Sequence, residues 1–170
     1  MKIPVRHDTT VPRKEVYMPY DPNIHKRHSI RLKEYNYAKE GMYFITICIY
    51  NKECLLGKIL DNRMILNKMG ETTKNELLKI NDRFKYCNIN IYQIMPNHIH
   101  FILELKEENK KIVGNIIRYF KGRVSSKEKI YWQRNYYEHI IRNEKEFYAI
   151  SEYIINNPLN WKEDDNFIQY

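Results

Sequence analysis

The 170-residue chain is poor in the features of secreted, zinc-ribbon and membrane proteins. Its three cysteines, Cys48, Cys54 and Cys87, are odd in number and show no CxxC spacing. A disulfide framework and a zinc ribbon are therefore not expected. No window approaches the roughly 18 consecutive apolar residues of a membrane span, so no membrane partner is expected. Met1 to Arg13 holds no apolar h-region, which argues against a secretory signal and places the chain in the cytoplasm. Internal repeats and low-complexity tracts are missing as well. Proline is scarce beyond the start, since Pro4, Pro12, Pro19 and Pro22 are four of the six in the chain. With charges interspersed, residues 1–26 read as an extended arm with no core of its own.

What is present is a core and a positive charge. Hydrophobic residues make up 43% of the chain and aromatics 14%, which excludes wholesale disorder. The length fits a single domain over residues 27–170. Lysine and arginine number 29 against 21 acidic residues, a net charge of +8. That balance points to an anionic partner, nucleic acid being the commonest. Charge alone leaves open a merely basic soluble protein.

Residues 26–40 form a basic, aromatic-laced entry segment, and the body begins at Gly41. Tyr43 to Tyr50 is almost all β-branched or aromatic and reads as a central strand. Arg63 to Leu66, Asn88 to Met95, His98 to Leu105 and residues 136–142 read as further strands. Residues 68–80, 111–122 and 144–157 read as helices. Pro158, with no N–H to donate, stops the last helix. Paired strands with helices between them predict an α+β domain, an antiparallel sheet with helices packed on its faces.

Pro96-Asn97-His98-Ile99-His100 is the most informative stretch. Side chains at i and i+2 of a strand share a face. His98 and His100 therefore project together, while Ile99, Phe101 and Leu103 face a core. Two imidazoles so placed are able to converge on one cation, each nitrogen at about 2 Å. Two surface histidines on a half-buried strand fit the pattern too. On the last helix, Phe147, Ile150 and Ile154 make a core-facing stripe. Tyr153 and Asn157, four apart, are neighbours beside that stripe. They offer a nucleophilic phenol and an amide oxygen for a metal; ordinary amphipathic packing of a tyrosine is the alternative.

Four stretches together resemble one family: Arg27–Tyr37, Gln93–Leu103, Tyr131–Arg142 and Glu152–Pro158. Their P-N-H-x-H, W-Q-R-N-Y-Y-E-H-I-I-R and Y-I-x-N-N-P blocks are similar, in order and spacing, to the single-tyrosine HUH transposases, REP-associated branch. The resemblance implies a ferredoxin-like fold. It puts His98 and His100 on the metal-binding motif, Tyr153 on the nucleophile and Asn157 on the third metal-ligand position. It implies cleavage of single-stranded DNA next to hairpins through a 5′-phosphotyrosine link, assisted by Mg²⁺ or Mn²⁺. Residues 1–26 lie outside it.

DNA contacts are expected from Lys111, Arg118, Lys121, Arg123, Trp132 and Arg134. Residues 110–129 carry seven cations against Glu128, and bases stacked on aromatic rings gain roughly 1–3 kcal/mol each. A solvated helix face beside core aromatics is the structural alternative. The rival function is a catalytically silent protein that binds hairpin or single-stranded DNA. A relaxase-type or replication-initiation nickase shares the chemistry, but this chain leaves little room for an added domain. A monomer or a homodimer is open, and the resemblance to the REP-associated branch is more compatible with a monomer.

Overall fold

A computed structural model describes residues 41–106 and 113–169. The expected arm, the Arg27–Tyr37 stretch and Lys111 lie outside the described residues. Elements follow in the order β1 (Gly41–Cys48), β2 (Gly57–Leu60), β3 (Arg63–Leu66), α1 (Lys68–Arg83), β4 (Cys87–Ile94), β5 (His98–Leu105), α2 (Val113–Lys127), β6 (Tyr137–Ile141) and α3 (Glu144–Asn156). The main sheet is antiparallel with strand order β4-β5-β1-β6. Setting β2 and β3 aside, β1-α1-β4-β5-α2-β6 is the ferredoxin-like arrangement expected, with α3 appended. The β-branched and aromatic run is a central strand, flanked by β5 and β6.

Pairing registers sort the sheet into two faces. Ile45, Ile47, Ile99, Phe101 and Leu103 occupy one, all fully buried, with the apolar stripes of α1 and α2 to cover them. Phe44, Thr46, His98, His100 and Tyr137 occupy the other, because Thr46 pairs with both His100 and Tyr137. The α3 helix packs there, as the Tyr153 ring meets Phe44 and His100. A one-residue bulge between Ile89 and Tyr92 re-aims β4 midway.

Boundaries shift by a few residues from the sequence reading, most clearly in β1 and α2, and one strand is new to it. β1 ends at Cys48 rather than Tyr50, because Asn51 and Lys52 turn the chain at φ near 54°. α2 runs on to Lys127, its buried face extended by Val124. β2 has no counterpart among the expected strands. It pairs with β3 in a separate two-stranded ribbon whose tip, Asp61-Asn62, has positive φ at both residues, as a type I′ turn requires. Two glycines secure this insertion. Gly57 has φ +144°, and a Cβ there would lie 2.1 Å from the Ile65 carbonyl oxygen. At Gly70 a Cβ would lie 2.1 Å from the Leu56 carbonyl oxygen.

One buried carboxylate joins α1 to α2. Glu76, 3% exposed, accepts from Lys127 Nζ at 2.7 Å, Lys79 Nζ at 2.8 Å and Arg123 Nε at 3.2 Å. Burial pushes its carboxyl up, but the three cations outweigh burial and hold it at about 2 instead of 4.5. A depressed folded-state pKa adds stability above the unfolded value, lost as pH falls through the folded one. The contribution is at most roughly 3 kcal/mol, less the screening at the partly exposed cations. Glu76→Gln should therefore destabilise the protein near neutrality, with the deficit shrinking between about pH 4.5 and about pH 2. Urea unfolding across that range measures it, and a pH-independent deficit would contradict the assignment.

Candidate active site

Asn97 begins the site. Its Nδ2 donates to the carbonyls of Lys52 at 2.9 Å and Asn166 at 2.8 Å. That fixes the amide so that Oδ1 faces His98 Nδ1 at 2.8 Å. The proton of His98 must then sit on Nδ1, leaving a lone pair on Nε2. Nε2 of His98 stands 2.9 Å from Nε2 of His100. His100 Nδ1 is 2.8 Å from Thr46 Oγ1, and a hydroxyl serves either tautomer by donating or accepting. The strand parity expected from the sequence is thus realised, and both imidazoles present nitrogens to one point.

The side expected to be half exposed is closed. His98 is 0% exposed and His100 3%. Beyond α3 the chain turns through Trp161–Glu163, and the buried Trp161 ring lies 6.0 Å from His98. That turn delivers Asp164, whose Oδ2 is 3.8 Å from His98 Nε2 and 4.0 Å from His100 Nε2. His98, His100 and Asp164 form a group able to hold a metal ion. Burial works to raise the Asp164 carboxyl, but His100, His98, Asn157 and the Asn166 amide together hold it well below the usual range. Burial pushes His98 well down, and His100 and Lys52 push the same way against Asp164.

Asn157, the helix C-cap, is 2% exposed. Its Nδ2 donates to Asp164 Oδ2 at 2.9 Å, so its Oδ1 must point elsewhere. That oxygen is buried without a hydrogen-bond partner among the described residues. A carboxylate, two imidazole nitrogens and an orphaned amide oxygen suit a divalent cation by donor chemistry. The sequence reading missed this carboxylate, whose one mark in the sequence is the acidic run Glu163-Asp164-Asp165.

Tyr153 stacks edge-on at 5.3 Å between ring centroids with His100 and at 6.0 Å with Phe44. Burial raises its phenol far above the ordinary value, and Asp164 and Asp165 add to the rise. The neighbouring Tyr148 is exposed and donates to Glu144, so it faces away from the histidines.

The expected DNA-contact residues do not gather at this point. Lys121 Nζ donates to the carbonyls of Gln133 at 2.7 Å and Asn135 at 2.9 Å; burial lowers it to about 8, against the pull of Cys48. Arg123 is held on Glu76. Trp132 bridges to Ile49 and lies 5.8 Å from Phe120. Arg118 and Arg134 are exposed, Arg118 touching Asn115 on its own helix.

No protein-family model matches the chain. An uncharacterized protein of Haemophilus influenzae is 43% identical, over 88% of this chain and 97% of the relative. A putative REP-associated tyrosine transposase of the same organism is 26% identical over 73% of each. The REP-associated tyrosine transposase of Escherichia coli is also 26% identical, over 72% of this chain and 69% of its own. Among solved structures, a REP-associated tyrosine transposase bound to a REP hairpin superposes with a TM-score of 0.61 at 24% identity. It spans 77% of this chain and 74% of its own, and shares the fold. In sequence the chain is thus similar to the REP-associated tyrosine transposases, and it shares the fold of one of them.

Proposed function

We propose that this protein cuts and rejoins single-stranded DNA beside hairpins, with Tyr153 as nucleophile. The reading rests on one observation above all, the Tyr153 ring against His100 where two imidazoles and Asp164 converge. The Tyr153 oxygen attacks the scissile phosphorus. An Oη–P bond forms, the P–O3′ bond breaks, the phenolic proton is given up and the strand leaves with a 3′-OH. Attack by another 3′-OH reverses the exchange and frees the tyrosine, so no nucleotide triphosphate is consumed.

His98, His100 and Asp164 would hold Mg²⁺ or Mn²⁺, with the Asn157 oxygen beside them. The ion supplies positive charge for the non-bridging phosphate oxygens. Asn97 and Thr46 hold the two imidazoles in the ligand orientation. The Tyr153 ring against His100 of its own chain favours a site assembled within one protomer. Arg134 and Arg118, both exposed, are the cations best able to meet DNA, Arg118 leaving only Asn115 of its own helix; Lys121 and Arg123 would first have to leave their protein partners. The binding-only reading has its own support, since His98 and His100 are sealed from solvent.

The test uses end-labelled hairpin oligonucleotides drawn from DNA beside the gene. In Mg²⁺ or Mn²⁺ the wild type should give a 5′-linked protein–DNA band on a denaturing gel, absent in EDTA. Undiminished cleavage in EDTA would sink the metal assignment. Binding without an adduct would favour the silent protein.

A further inference from the structure

The β2–β3 ribbon has no part in the site above, yet its outer face is unusual. Residues directly opposite on paired strands share a face, and successive pairs alternate. Gly57↔Leu66 and Ile59↔Met64 turn one way, and these four residues are half-buried. Lys58↔Ile65 and Leu60↔Arg63 turn the other way. All four of those are exposed, Leu60 at 52% and Ile65 at 47%. Two cations and two aliphatic side chains thus alternate on one outward surface. Neither Lys58 nor Arg63 has an ion pair among the described residues; Asp61 at the tip is the acid nearest in sequence.

The base of the ribbon is tied to the site. Leu56, fully buried, donates its N–H to the Pro96 carbonyl at 3.0 Å and accepts from Asn67 N at 3.1 Å. Pro96 leads directly into Asn97 and His98. The ribbon therefore springs from the same end of the sheet as the histidine pair.

We propose that the outer face of this ribbon enters the major groove of a DNA hairpin stem while the adjoining single strand lies at Tyr153. The inference rests on the reading of the protein as one that acts beside hairpins. A major groove about 12 Å wide admits a two-stranded ribbon. Lysine and arginine there reach guanine N7 and O6 or the phosphates, and aliphatic side chains meet thymine methyls. The alternation of Lys58 and Arg63 with Leu60 and Ile65 matches that mixture. Basic and solvent-facing, the surface is better suited to a polyanion than to an apolar protein partner.

The test compares two fluorescein-labelled probes with the full chain, a hairpin oligonucleotide from the flanking inverted repeat and its single-stranded flank alone. Lys58→Ala/Arg63→Ala should weaken hairpin binding about tenfold or more and leave the flank within about twofold. The slope of log K against log salt should flatten by up to about 0.9 for each phosphate that the variant no longer neutralises. Dimethyl sulfate should find stem guanine N7 atoms protected by the wild type and reactive with the variant. Leu60→Ser/Ile65→Ser should reduce hairpin affinity without changing that slope. Equal losses on both probes, or unprotected N7 atoms in the wild-type complex, would overturn the proposal. So would a normal hairpin complex from the double variant with a changed oligomeric state, which would make the face a self-association surface. N7 protection without a covalent adduct would uphold the ribbon and refute the nuclease, and an adduct without protection would do the reverse.

Discussion

Tyr153→Phe should abolish the covalent adduct, leaving less than about one-thousandth of wild-type formation, while the protein stays folded and binds the hairpin. The substitution removes one hydroxyl and keeps the ring against His100 and Phe44. The expected stability change is within about 1 kcal/mol, the net worth of a typical hydrogen bond. Tyr148→Phe is the control, because its ring is exposed and its hydroxyl donates to Glu144. Binding should be read by anisotropy beside the denaturing gel, so that loss of chemistry is separated from loss of DNA. Persistence of the adduct in Tyr153→Phe, with its loss in Tyr148→Phe, would reassign the nucleophile.

Periodicity alone makes much of this legible. The i, i+2 spacing of His98 and His100 needs only a strand, and Ile99, Phe101 and Leu103 identify the buried side. The i, i+4 spacing of Tyr153 and Asn157 needs only a helix, with Ile150 and Ile154 as its inner stripe. Asp164 is beyond such patterns. It follows Pro158, outside any regular element, and reaches the histidines where Trp161 buries its ring beside His98 and Asn157 and Asn97 hold the segment by hydrogen bonds. The same contact closes the face that strand parity alone leaves half open. β2 is hard to see in the sequence because Gly57-Lys58-Ile59-Leu60 is short and its turn is Asp61-Asn62 rather than a glycine-bearing pair. The direction of long cations is equally hidden. Lys121 and Arg123 stand in a basic run, but tertiary contacts turn them onto carbonyls and Glu76.

The closed site changes what a histidine substitution should do. With His98 on the surface, His98→Ala would lose only chemistry. Fully buried, it should lose stability too. Removing the imidazole leaves a cavity and strips Asn97 Oδ1 of its donor, a combined cost of about 2–5 kcal/mol. Thermal unfolding with and without Mn²⁺ separates the two losses. A ligand at about 100 times its Kd stabilises the native state by about 2.7 kcal/mol, which amounts to several degrees for a chain of this size. The wild type should show that rise. His98→Ala should melt lower and show none, and it should form no adduct. Should His98→Ala fail to fold, Asp164→Asn carries the test, since it keeps the side-chain shape and removes one ligand charge. Its metal-free melting should stay closer to wild type, with most of the Mn²⁺ rise gone. An undiminished rise in Asp164→Asn would remove Asp164 from the ligand set, and an undiminished rise in His98→Ala would remove the metal from this site altogether.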